Sequence, residues 1–176
     1  MNFFFPLFYS VSLFCILIII SYYIFQQIIN VQKLENRIFI LREKIQNNRA
    51  TYQDFYILGQ IYLKKKIFNK SILLFRQALQ IWDFNDQIGL SSLYNTLGFT
   101  YFNLKNYNFA IYYYNISIQL VPDSLLALTN LGFTYEKINL YEKAYEYYQN
   151  TLKFDVMNKL ALSRISVVEK KLKFKS

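Results

Sequence analysis

Residues Tyr94–Pro122 read YNTLGFTYFNLKNYNFAIYYYNISIQLVP. Two helical patterns lie inside this stretch, joined by the polar break Leu104-Lys105-Asn106. In the first, Leu97-Gly98 is followed three residues later by Tyr101. In the second, Ala110 opens an apolar stripe through Tyr114 and Ser117, and Pro122 closes it. Proline cannot continue a helix, so the second pattern stops there. The stretch predicts a helical hairpin, and the rest of the chain is read against it.

The same order of residues occurs on both sides. Downstream, Leu131-Gly132 is followed by Tyr135, Ala144 and Tyr148, each 34 residues after its counterpart. Upstream, Leu58-Gly59 is followed by Tyr62, Ser71 and Phe75, each 39 residues before. Five extra residues therefore separate the first two copies. They are placed at Asp86–Leu90, where they lengthen the loop or extend the next helix. The order and the period resemble the tetratricopeptide repeat, a helix–turn–helix unit with the pattern W-x2-L-G-x2-Y…A-x3-F…P.

Each landmark has a physical role. Glycine in the first helix and a small residue in the second (Ser71, Ala110 or Ala144) let two helix backbones approach closely. Tyr62 with Phe75, Tyr101 with Tyr114, and Tyr135 with Tyr148 fill the space around the crossing. Glycine in a helix costs ~1 kcal/mol relative to alanine, so its recurrence at one position argues for a packing need. The expected helices are 52–64, 67–81, 88–103, 107–120, 125–137 and 141–154. A last helix near 158–173, with Leu160, Leu162, Ile165, Val168 and Leu172 as its apolar set, would cap the stack.

The N-terminal region is of another kind. No charged side chain precedes Lys33, and Phe3–Phe25 is almost wholly apolar. A helix of that length spans about 35 Å, enough for a bilayer core. The stretch lacks the basic start and small-residue cleavage site of a signal peptide, so it reads as a retained anchor. Lys33, Arg37, Arg42 and Lys44 follow it, which places the repeats on the cytoplasmic or stromal side. Between anchor and repeats, Leu34, Ile38, Leu41 and Ile45 form one apolar stripe. That segment either continues the membrane helix and packs against the first repeat, or dimerises as a short coiled coil. The expected organisation is 1–30 anchor, 31–50 connecting amphipathic helix, repeats near 52–85, 91–124 and 125–158, then 159–176 as capping helix and basic tail. The fold class is all-α, an α-solenoid behind a transmembrane helix.

The first helices of stacked repeats line a concave groove. Tyr56, Gln60, Asn95, Phe99, Phe102, Asn103, Thr129, Phe133 and Glu136 are the side chains expected to face it. This wall is aromatic and amide-rich with few charges. It suits an extended or helical peptide held by ring contacts and hydrogen bonds.

Composition excludes several functions. The chain of 176 residues has no histidine, and its single cysteine, Cys15, lies in the apolar stretch. The commonest general base and metal ligand is therefore absent, with no cysteine-based zinc site or disulfide. No phosphate loop or pair of carboxylates on one face occurs, so no enzyme activity, cofactor, metal or small-molecule substrate is expected. The net charge is +9, but no nucleic-acid motif accompanies it. Lys64–Lys66 and the bases of Arg164–Lys175 read as solvated ends.

Family resemblance sharpens these expectations. Co-chaperones of the repeat family clamp a C-terminal carboxylate with lysine, arginine and asparagine. Tyr56, Gln60, Asn95 and Phe99 occupy the corresponding surface here, so a heat-shock-protein clamp is not expected. The whole chain resembles the small membrane-anchored tetratricopeptide proteins of algal plastids and cyanobacteria. That resemblance implies thylakoid attachment and help in photosystem I assembly or stability, with photosystem I subunits or assembly factors as partners. An anchored scaffold for cytochrome maturation or protein translocation in a bacterial or mitochondrial membrane is the alternative.

Overall fold

The computed structural model describes residues 4–173, with side chains from Phe8 onward. Phe3 of the expected span and residues 174–176 of the basic tail lie outside the described residues. The chain divides into two units at residue 49. Among the described residues there is no strand.

The first unit is a single helix, α1 (Phe4–Gln46). The apolar stretch and the connecting segment are thus one unbroken element of 43 residues, about 65 Å long. Its most apolar window has a mean hydropathy of 2.2, so α1 is long and apolar enough to cross a membrane. Phe14, Cys15, Ile18 and Phe25 are exposed along it. The helix ends where Asn48 turns left-handed (φ 52°) and the Arg49 N–H reaches back to the Lys44 carbonyl at 2.9 Å.

The second unit is built from α2 (Tyr52–Lys64), α3 (Phe68–Ile81), α4 (Gln87–Asn103), α5 (Tyr107–Leu120), α6 (Leu125–Lys137), α7 (Tyr141–Phe154) and α8 (Lys159–Lys173). The first six pair as hairpins, α2 with α3, α4 with α5 and α6 with α7. Local chemistry sets their ends. Thr51 and Asp54 cap α2 reciprocally, the Asp86 carboxylate accepts the Gly89 N–H, and Asn158 accepts the Ala161 N–H to start α8. Inside each hairpin one residue turns left-handed: Lys66, Lys105 and Asn139, with φ of 59°, 59° and 60°. The following N–H of Ile67, Asn106 or Leu140 then bonds the carbonyl of Tyr62, Tyr101 or Tyr135. The same C-terminal cap thus closes all three first helices without a glycine.

Four of the five extra residues between the first two copies are helix, and the fifth lengthens the loop before α4. α4 has 17 residues against 13 in α2 and α6, so the insertion extends the helix at its start. Trp82, buried at the end of α3, fills the junction this creates. Its indole N–H donates to Asp86 at 3.1 Å, and its ring lies 4.5 Å from Tyr52 and 5.7 Å from Tyr56.

Packing within the hairpins follows the glycines. A Cβ added at Gly59, Gly98 or Gly132 would sit 2.5, 2.6 or 2.9 Å from the ring of Phe75, Tyr114 or Tyr148. These rings, with Ala110 and Ala144, are fully buried. In the first copy the small residue does more: the Ser71 hydroxyl donates to the Gly59 carbonyl at 2.8 Å. The first-helix tyrosines stack elsewhere than expected. Tyr101 lies on Tyr113 and Phe109, and Tyr135 on Tyr147, one residue before the glycine-facing ring. A second-helix ring that covers the glycine lies between the backbones, and its chain neighbour flanks the crossing.

The capping helix corrects one expectation. Leu160 and Leu162 are exposed, and the buried seam of α8 is Ala161, Ile165 and Val168 with Leu172 half-buried. The steps of four, three and four residues keep that seam on one stripe, whereas Leu160 and Leu162 flank it.

Candidate functional site

The first helices run side by side in one direction. Asn95 and Phe102 of α4 meet Asn130 and Phe133 of α6 in the same order along the chain, at 3.0 Å between side-chain amides and 5.5 Å between ring centroids. Tyr56 of α2 lies 3.4 Å from the hydroxyls of both Ser92 and Thr96 on α4. At the other end, Arg164 of α8 holds Glu136 of α6 with two N–H groups, one of them at 3.0 Å. Side chains of this face therefore tie each first helix to the next.

Two depressions open between these ties. The larger, of about 520 Å³, is lined by Gln60, Leu63, Asn95, Thr96, Phe99 and Asn130 among others. The smaller, of about 300 Å³, is lined by Phe99, Phe102, Thr129, Phe133, Leu160 and Arg164 with their neighbours. Phe99 and Asn130 belong to both. Phe99 stands at the divide with 43% of its surface exposed.

The residues read from the sequence are not equivalent on this face. Gln60, Phe102 and Phe133 are half-buried walls. Asn95, 7% exposed, and Thr129, 5% exposed, form the floor. The Asn95 carbonyl oxygen accepts from Asn130, and the Thr129 hydroxyl donates to the Leu125 and Leu126 carbonyls. Asn103 is exposed but folds back to donate to the Phe99 carbonyl at 2.7 Å. Glu136 accepts from Arg164 and from the Tyr148 hydroxyl at 3.1 Å. Burial, then the neighbouring Glu136 charge, raises the Tyr148 hydroxyl above the ordinary tyrosine range, so it stays a donor.

One cation of the groove is neutralised, while Lys64 and Lys137 stand exposed at its rim. Arg164 is paired with Glu136, and its guanidinium lies 5.3 Å from the Phe133 ring centroid. Lys137 covers the same ring at 5.0 Å. The face thus offers exposed ring surface, amides and hydroxyls, with lysines at its rim. It can hold a mostly apolar peptide segment through ring contacts, with amides at Gln60 and Asn130 for its backbone.

Thr96, Asn130, Leu160 and Arg164 are missing from the sequence-based reading of this face. The repeat period does find them. Thr96, Asn130 and Arg164 are separated by 34 residues each, as are Leu126 and Leu160. By register α8 is a fourth first helix, and its groove-facing positions continue the row. Among the described residues no group of histidine, cysteine, aspartate or glutamate side chains has a metal-binding arrangement.

The model of the tetratricopeptide repeat family matches residues 126–155, the third hairpin. The ycf37 protein of Guillardia theta is 40% identical over 130 residues, spanning 74% of this chain and 73% of that protein. The chloroplastic tetratricopeptide repeat domain-containing protein PYG7 of Arabidopsis thaliana is 28% identical over 62% of this chain and 36% of its own length. Among solved structures, MamA superposes with a TM-score of 0.72 at 18% identity, over 82% of this chain and 81% of its own, a likeness of fold. Repeats of this architecture are scaffolds for protein–protein interaction. With three matching hairpins and a relative that aligns along most of its length, the chain belongs to the ycf37 family of plastid tetratricopeptide-repeat proteins.

Proposed function

We propose that the protein is a membrane-anchored scaffold that assists photosystem I assembly or stability at the thylakoid, its groove holding a segment of a photosystem I subunit or assembly factor. The observation that carries the groove reading is Phe99, an exposed ring at the divide between two adjoining depressions. The plastid relatives and the apolar α1 support the location. The basic residues that follow the apolar stretch, Lys33 to Lys44, favour a stromal position for the repeats.

The test is co-purification from detergent-solubilised thylakoids. Photosystem I subunits should come down with the wild-type chain. Recovery should fall about tenfold or more with Phe99→Ala and Phe102→Ala together, since a central ring at an interface commonly carries over ~1 kcal/mol. The far-UV circular dichroism of that variant should stay normal, because both rings are partly exposed. Recovery of translocation or cytochrome-maturation components with no photosystem subunit would remove the photosystem reading. Unchanged recovery of the double variant would remove the groove reading. For orientation, protease added to intact thylakoids should digest the repeats from the stromal face; resistance there, with cleavage only after lumenal access, would reverse the assignment.

A further inference from the structure

The hairpin topology sorts the charges of the repeat unit. Because the first helices are parallel, the turns inside the hairpins and the end of α8 lie along one edge, and the loops between hairpins along the other. The first edge carries Lys64, Lys65 and Lys66 at its first turn, Lys105 at its second and Lys137 at its third, all exposed. The end of α8 adds exposed Lys170, Lys171 and Lys173. Nearby Lys70 and Lys143 lie 5.9 and 5.3 Å from the Tyr62 and Tyr135 ring centroids. Against these stand Glu142 and Glu169, while Glu136 is held by Arg164. The opposite edge carries Asp83, Asp86, Asp123 and Asp155, with Lys153 and Lys159.

We propose that the lysine edge docks on the anionic lipid headgroups of the membrane in which α1 is anchored. Three observations favour lipid over nucleic acid or an acidic protein. The edge is all lysine: among the described residues it has no arginine, whose planar fork suits bidentate recognition of phosphate, and lysine acts as a point charge. The lysines are spread over three successive turns and the end of α8 rather than gathered in one pocket, which suits a surface of mobile charges. A membrane is also within reach of the tether. Residues 31–46 of α1, beyond its most apolar part, are about 24 Å long, comparable with the about 20 Å of α2 between its start at the opposite edge and Lys64. The aspartates of that edge repel the same headgroups, so the two edges together orient the unit. The proposal rests on the membrane reading of α1.

The test is lysine acetylation of the full chain in nanodiscs, read by mass spectrometry. Neutral discs are compared with discs containing an anionic phospholipid. In anionic discs Lys64–Lys66, Lys105, Lys170 and Lys171 should react roughly three-fold more slowly or less, an attraction that screening at ~1 M salt should abolish. Lys153 and Lys159 at the opposite edge should be unchanged. Replacing Lys64, Lys65 and Lys66 with glutamine should restore reactivity at Lys105 as well, with the helical signal intact. A chain that co-elutes with anionic discs but shows equal reactivity at both edges overturns the proposal and leaves the anchor standing. A chain that does not co-elute with either disc overturns both. Protection that appears only on adding polyglutamate or single-stranded RNA overturns the lipid assignment in favour of that partner.

Discussion

Replacing Gly98 with leucine should lower the unfolding free energy by about 3 kcal/mol, the upper end of what overpacking costs. A Cβ at this position would lie 2.6 Å from Cδ1 and 2.7 Å from Cε1 of Tyr114. That ring is 1% exposed, so relieving the contact means displacing a packed side chain. Leucine also gains helix propensity, but only ~1 kcal/mol, so the clash decides the sign. Alanine meets the same ring at its Cβ and should lose less. Urea unfolding of the full chain in detergent, followed by circular dichroism, measures the change. A leucine variant with the wild-type midpoint would contradict the close approach of α4 and α5.

Removing the other partner should cost more. Tyr114→Ala deletes a fully buried ring and leaves a cavity between the same two helices. Loss of a buried aromatic side chain typically costs about 3–5 kcal/mol. Native domains hold only about 5–15 kcal/mol in total, so this one change should remove a large share of the stability and lower the urea midpoint further than the leucine does. The two changes should not be additive. Leucine at 98 occupies part of the space that tyrosine vacates, so the double variant should be more stable than the sum of the single losses. Strict additivity would mean that the glycine and the ring do not share one volume. Since each repeat contacts only its neighbours, loss of the middle hairpin also separates the first from the third.

The period of the landmarks is why the helices were readable beforehand. Each glycine had its ring and each hairpin its polar break, and the six repeat helices lie within one residue of their expected bounds. The capping helix was harder. Leu160 and Leu162 are large and apolar, yet they flank the seam, and Ala161 does the packing. Composition alone favours leucine over alanine as a core residue, and only the 34-residue register decides otherwise.

The groove was less legible for a related reason. Tyr56, Asn95 and Thr129 share one pattern position, but Tyr56 reaches the next helix, Asn95 bonds Asn130, and Thr129 bonds its own backbone. Whether such a side chain ends in open space depends on the distance between neighbouring first helices. Spacing within one helix does not encode that distance. Arg164 was hidden by its address in a helix regarded as a cap.

Trp82 has a use beyond packing. It is the only tryptophan in the chain, and it sits where α2, α3 and α4 converge, its indole shielded by Tyr52, Tyr56 and Asp86. Its fluorescence is therefore a built-in optical gauge of one junction, while circular dichroism averages over every helix. If the emission reddens before helix is lost, the array frays at its first joint. If both signals move together, the three hairpins melt as one cooperative body.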